Sequence, residues 1–169
     1  CSSDLFMILF GVNFNAYFLL LMRRFRRAAA SEEVRAYFVV IGVAVVIITA
    51  NIYSMYNGLG EALRHAAFQV GSIITTTGYA TTDFNVWPVF SKTILVILMF
   101  VGACAGSTGG GIKVSRLLII VKSIRREVRK MLHPNAVTII KVNGKKIGQD
   151  TLKNVNLYLT CYIMILIVS

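Results

Sequence analysis

Two blocks of positive charge frame this chain. Arg23, Arg24, Arg26, Arg27 and Arg35 form the first, and Lys122, Arg125, Arg126, Arg129, Lys130, Lys141, Lys145, Lys146 and Lys153 form the second. Long apolar stretches run at residues 5–22, 36–56, 89–121 and 157–169. A helix needs roughly 20 apolar residues to cross a hydrocarbon core, so these stretches are span candidates. Basic residues concentrate in cytoplasmic loops, which puts both blocks inside and makes the chain between them cross an even number of times. Three segments compete there, at residues 36–56, 61–79 and 89–121. One of them must enter and leave on the same side.

Segment 61–79 suits that role. Its first half carries Glu61, Arg64, His65 and Gln69, and its second half the threonines Thr75, Thr76 and Thr77, a poor surface for lipid. Non-helical backbone at membrane depth is tolerated only where protein buries it or it lines a watery cavity. The pattern predicts a pore helix at 61–74, started by Asn57 or Gly58, and a re-entrant turn at Thr75, Thr76, Thr77, Gly78 and Tyr79. Carbonyl oxygens converging from such a turn can replace an ion's hydration shell, and Gly78 can adopt backbone angles closed to other residues. The helix would also aim its partial negative end at the ion. By spacing alone, the same five residues would suit a surface turn between two spans.

The stretch 89–121 is too long for one straight crossing at ~1.5 Å per residue. Its middle is Gly102-Ala103-Cys104-Ala105-Gly106-Ser107-Thr108-Gly109-Gly110-Gly111, and each glycine costs a helix about 1 kcal/mol against alanine. We expect half-helices at 89–104 and 112–130 joined by an intramembrane turn at Ala105, Gly106, Ser107, Thr108, Gly109, Gly110 and Gly111. The order Gly111-Ile112-Lys113-Val114 departs from a phosphate-binding loop. Lys113 and Arg116 follow the turn and are either charges acting on the pore or side chains snorkelling to headgroups. Beyond them, β-branched residues around Asn143-Gly144 predict a small cytoplasmic β-hairpin over 137–147.

Composition agrees with a membrane protein. The chain is 56% hydrophobic, with a mean hydropathy of +0.70, more apolar than a soluble domain of 169 residues would enclose. Its net charge of +11 sits in the blocks between spans, which points to a lipid bilayer and away from nucleic acid. Cys1, Cys104 and Cys161 show neither a disulfide framework nor zinc spacing, and His65 and His133 have no partner at metal-ligand spacing. Asp83 is either a cation-concentrating charge at the outer mouth or a solvated loop carboxylate, with Lys92 nearby. Trp87 and Tyr79 are expected at the outer interface, where aromatics anchor. The charge that follows, rather than precedes, the first apolar stretch argues against a cleaved leader, and the apolar ends suggest a piece of a longer protein.

Thr75-Thr76-Thr77-Gly78-Tyr79-Ala80-Thr81-Thr82-Asp83-Phe84, preceded by Phe68-Gln69-Val70-Gly71 and followed by the Gly102 to Lys113 run, resembles the third repeat of the Trk/Ktr/HKT superfamily of cation transporters, most closely its bacterial TrkH type. The resemblance implies an all-α integral membrane fold with four unequal membrane-pore-membrane repeats arranged as in a potassium channel. It assigns residues 1–22 to the last helix of a preceding repeat, 23–35 to a basic linker and 36–121 to a complete repeat. Residues 131–153 become the hairpin linker and 154–169 the first helix of the next repeat. It implies potassium as the transported ligand, held by backbone carbonyls of Thr76, Thr77 and Gly78 with Thr75 and Tyr79 flanking, and a gate made by Ala105 to Gly111. No covalent cofactor and no enzyme chemistry are implied. The implied setting is the bacterial inner membrane, as a homodimer of the full-length chain docked to a cytosolic nucleotide-binding ring. Ala80 stands where potassium channels carry a second glycine, which implies looser selectivity. The rivals are a secondary transporter of another cation such as sodium, with a broken-helix site, and a membrane-anchored subunit without a pore.

Overall fold

In the computed structural model, which describes residues 2–23, 31–56, 58–132, 141–142, 145–146 and 148–168, the chain divides into two units, Cys1–Val114 and Ser115–Ser169. The first unit contains α1 (Ser2–Phe10), α2 (Phe14–Leu21), α3 (Glu32–Ile52), α4 (Leu59–Ile74) and α5 (Val89–Phe100), with 3-10 turns at Tyr53–Met55 and Phe84–Val86. Helix α6 (Val114–Leu132) begins on its last residue and otherwise belongs to the second unit. That unit also holds the short strands β1 (Lys141–Val142) and β2 (Lys145–Lys146) and helix α7 (Gln149–Val168).

Helix α4 shows how the first unit packs. Ala62, Ala66, Val70 and Ile74 recur every fourth residue, share one face, and are all fully buried. Two small residues at the head of that face allow close approach of a neighbouring helix, as is usual where lipid removes the hydrophobic drive between helices. Helices α3, α4 and α5 pack on one another, and α1 lies against α4. Tyr37, Ile48 and Ile52 of α3 and Leu95 and Leu98 of α5 are also buried. On α3, Val39, Val43, Val46 and Ile47 stay exposed, an apolar surface suited to lipid or to other membrane helices.

Several boundaries differ from the sequence-based expectation. The anticipated single helix at 1–22 is interrupted at residues 11–13. Asn13 ends the break by capping α2, its side chain accepting from the Asn15 N–H at 2.8 Å. Helix α3 starts at Glu32, inside the expected basic linker, because Glu32 and Glu33 favour the positive end of a first turn. Helix α5 ends at Phe100, four residues early, and residues 101–113 form a closed loop. Helix α7 starts at Gln149 rather than near 154. Of the expected hairpin, β1 and β2 pair antiparallel, with Lys141 opposite Lys146 and Val142 opposite Lys145. Residues 137–140, 143–144 and 147 lie outside the described residues, as does Asn57.

By length and composition, Glu32–Met55 (mean hydropathy 2.3) and Thr151–Val168 (1.5) suffice to cross a membrane, and Val89–Phe100 is apolar but shorter. Within the second unit, the Arg116 guanidinium lies 3.8 Å above the Tyr158 ring, and Tyr158 stacks on Tyr162.

Candidate functional site

The turn after α4 is built by its own helix. Thr77 and Gly78 both donate their N–H groups to the Ser72 carbonyl, at 2.9 and 3.4 Å. The Ser72 hydroxyl donates to the Tyr79 carbonyl at 2.5 Å, and the Thr75 hydroxyl to the Gly71 carbonyl at 2.6 Å. Thr77 Oγ1 lies 2.8 Å from Thr75 Oγ1, and Thr76 donates its hydroxyl to the Thr75 carbonyl at 2.7 Å. The N–H groups are thus drawn toward the helix. Among the described residues, the carbonyls of Thr76, Thr77 and Gly78 accept none of these bonds, whereas those of Thr75 and Tyr79 are engaged.

Two residues of the turn have left-handed backbones, Thr76 at φ 56° and Gly78 at φ 80°. A Cβ at Gly78 would meet nothing within 4 Å, so glycine is required there by conformation and not by space. Thr76 is a β-branched residue in a conformation that costs of order 1–3 kcal/mol. Its hydroxyl offsets that cost by bonding on both sides, since it also accepts the Gly110 N–H at 3.0 Å.

That bond joins the turn to the second irregular segment, residues 101–113. Its neck closes through Gly102 N–H to the Ile112 carbonyl at 2.9 Å and Ile112 N–H to the Phe100 carbonyl at 3.0 Å, with Val101 and Ile112 forming a bridge. A Cβ on Gly102 would lie 1.9 Å from the Gly110 carbonyl oxygen, so the neck admits only glycine. Lys113 donates its ammonium to the Gly109 carbonyl, folding back on the loop it follows. Arg116 is held on Tyr158 in the second unit.

The loop has a second attachment, to the break between α1 and α2. Cys104 N–H donates to the Gly11 carbonyl at 3.1 Å, and Phe14 N–H to the Gly106 carbonyl at 3.3 Å. Glu33, only 4% exposed, accepts the Ala105 N–H at 2.5 Å and the Asn13 side-chain amide at 3.4 Å. An open cavity of about 740 Å³ is lined by the turn (Thr75, Thr77, Tyr79), by the loop (Thr108) and by Phe6 and Phe10 of α1.

Sequence reasoning missed Ser72, Asn13 and Glu33. Ser72 was within reach, since a serine one turn before a strained segment can bond its backbone. Glu33 gave no local signal beyond an acidic first turn. Asp83 serves a local turn, accepting the Asn85 N–H at 2.9 Å. Trp87 is 2% exposed and donates to the Tyr56 hydroxyl at 3.2 Å, so it is a core residue and not the interfacial anchor expected. His65 stacks on Tyr56 and lies 3.3 Å from Thr81 Oγ1. Among the described residues no group of three His, Cys, Asp or Glu could hold a metal ion.

Apolar helices packed around a polar turn and a glycine loop are the build of a membrane transport protein. The chain belongs to the TrkH family of cation transport proteins, which it matches over residues 4–169. It is 33% identical over 168 residues to the Trk system potassium uptake protein TrkH of Salmonella typhimurium, covering 98% of this chain and 35% of that protein. The TrkH of Vibrio parahaemolyticus is 40% identical over 113 residues, 67% of this chain and 23% of that one. The crystal structure of the potassium transporter TrkH from Vibrio parahaemolyticus superposes with a TM-score of 0.90 at 30% identity, covering 98% of this chain and 36% of that one. The chain spans about a third of the length of the relatives it matches. The family is one of inner-membrane transporters and not of enzymes.

Proposed function

We propose that this chain supplies one pore-lining repeat of a potassium uptake protein. Residues 36–121 form its membrane-pore-membrane unit, with α4 and Thr75 to Tyr79 re-entering from the outer side. The ion is held by the carbonyls of Thr76, Thr77 and Gly78, to which no described residue donates a hydrogen bond. Thr75 and Tyr79, whose carbonyls are engaged, support the strand. The carbonyl end of α4 adds partial negative charge beneath the ion.

Residues 105–111 act as the gate. The observation that supports this reading is the bond from Gly110 N–H to the Thr76 hydroxyl, which ties the loop to the turn. Lys113, bound to the Gly109 carbonyl, stiffens the loop and adds a positive charge that opposes cations while it is in place. Transport is passive, driven by the electrochemical gradient, and potassium is cargo. The relatives' names refer to a Trk system, which supports association with other components of that system; the partner we propose is a cytosolic regulatory ring on the full-length homodimer, with the β1–β2 segment and α6 on the cytoplasmic side.

The test is rubidium uptake into proteoliposomes containing the full-length protein. Gly78→Ala should lower uptake at least about tenfold, since it strains only the filter backbone. Uptake equal to the parent protein would remove the filter assignment. Impermeant labelling of Lys122→Cys and Arg27→Cys should come from the same side. Labelling from opposite sides would favour a broken-helix secondary transporter.

A further inference from the structure

We infer that Glu33 is the positioning residue that latches the glycine loop in place beneath the filter. The inference rests on residues 105–111 being the gate, and it names what holds them. Three observations converge on it. Glu33 is 4% exposed, and burial of a carboxylate is costly unless its oxygens are hydrogen-bonded. Its two oxygens take partners from two different segments: Oε1 accepts the Ala105 N–H at 2.5 Å, and Oε2 accepts the Asn13 amide at 3.4 Å. Ala105 is the first residue of the loop's apex, next to Gly106, whose carbonyl is held by Phe14 N–H.

The helix break at residues 11–13 has a purpose on this account. Asn13 caps α2 through its oxygen, which leaves its amide free to face Glu33. A Cβ on Gly11 would lie 2.0 Å from the Tyr37 hydroxyl, so the break is wedged against the same helix that carries Glu33. Glu33 therefore ties the loop to a rigid corner made by α2 and α3. The loop's other end rests on Thr76. Losing Glu33 leaves the loop held at Thr76, at the neck and by the two backbone bonds to Gly11 and Phe14, a weaker seat from which it leaves the cavity lined by Thr108 more often.

A bland role, as an acid favouring the first turn of α3, predicts something different. Removing it would lower stability without changing loop accessibility, and Glu33→Gln would behave like Glu33→Ala. The latch predicts a graded series. Glu33→Gln keeps an oxygen for the Ala105 N–H but presents an N–H to the Asn13 amide. Glu33→Ala loses both bonds. Hydrogen bonds to charged groups are among the stronger ones, so the full loss should favour the released loop about tenfold or more.

The experiment uses full-length protein with Cys1→Ser, Cys104→Ala, Cys161→Ser and Thr108→Cys, reconstituted and treated with a thiol-specific methanethiosulfonate reagent, with rubidium flux measured in parallel. Glu33→Ala should raise the modification rate at position 108 about tenfold and raise flux with it, with Glu33→Gln in between. Modification rates that stay at the parent value in both variants overturn the latch. Faster modification with unchanged flux keeps the latch and instead removes the loop as gate. Should Glu33→Ala fail to assemble, Glu33→Gln decides the question, since it disturbs the contact to Asn13 while leaving the Asn13 cap on α2 in place: a modification rate above the parent value supports the latch and an unchanged rate overturns it.

Discussion

The turn at Thr75 to Tyr79 and the glycine loop are both irregular, and both hold left-handed residues, yet they are stabilised differently. Apart from the Gly110 N–H on the Thr76 hydroxyl, the turn at Thr75 to Tyr79 hangs on residues at most seven positions away, chiefly Ser72 and Gly71. The loop at 101–113 closes its own neck but is held in position by Gly11, Asn13, Glu33 and Thr76, residues from three other elements. A locally supported turn keeps its geometry when its neighbours shift. A loop that depends on distant partners is loosened as they are lost, the property the proposed gate needs beside the proposed filter.

Substitutions can break this contrast. The largest effect is expected for Gly102→Ala. Its Cβ would collide with the Gly110 backbone, the neck cannot yield as a flexible side chain would, and the loop should fail to close at a cost of at least ~2–3 kcal/mol. Thermal unfolding in detergent and rubidium leak report it, and parent-like values in both would show that the neck is not rigid. Thr76→Val should come next. It removes the one acceptor shared by turn and loop, leaving the Gly110 N–H unpaired at ~1–3 kcal/mol, and should raise leak while weakening selectivity.

Ser72→Ala sharpens the comparison from the other side. It frees the Tyr79 carbonyl at about 1 kcal/mol and should shift the potassium-to-sodium permeability ratio with no rise in modification at position 108. A change in loop accessibility would mean that turn and loop are a single cooperative element. Lys113→Gln should raise leak flux severalfold by loosening Gly109. The smallest effect is expected for Arg126→Gln, which breaks an exposed pair with Glu127 and should leave stability within about 1 kcal/mol and flux unchanged.

What could be read in the residues follows the same division. Helix α4, the turn after it and the irregular glycine segment were legible because their signals are local: polar residues in an apolar chain, consecutive threonines before glycine, and glycine density. The boundaries drifted at helix starts, as at Glu32, where an acidic first turn outweighed hydropathy. Trp87 was misassigned because an indole near a span end reads as an interfacial anchor, and only packing against Tyr56 revealed it as core.

Sequence alone was therefore enough for the membrane class, for the placement of α4 and for the turn at Gly78, all consequences of hydropathy, charge placement and backbone freedom within a few residues. The bond from the loop to Thr76, the corner at Asn13 and the contacts of Glu33 emerged only on folding. The Ala105 N–H and the Glu33 carboxylate are 72 residues apart along the chain, and no periodicity or composition joins them. Burial brings them together, and burial makes the bond matter, because a carboxylate withdrawn from water must take its hydrogen bonds from whatever backbone packs beside it.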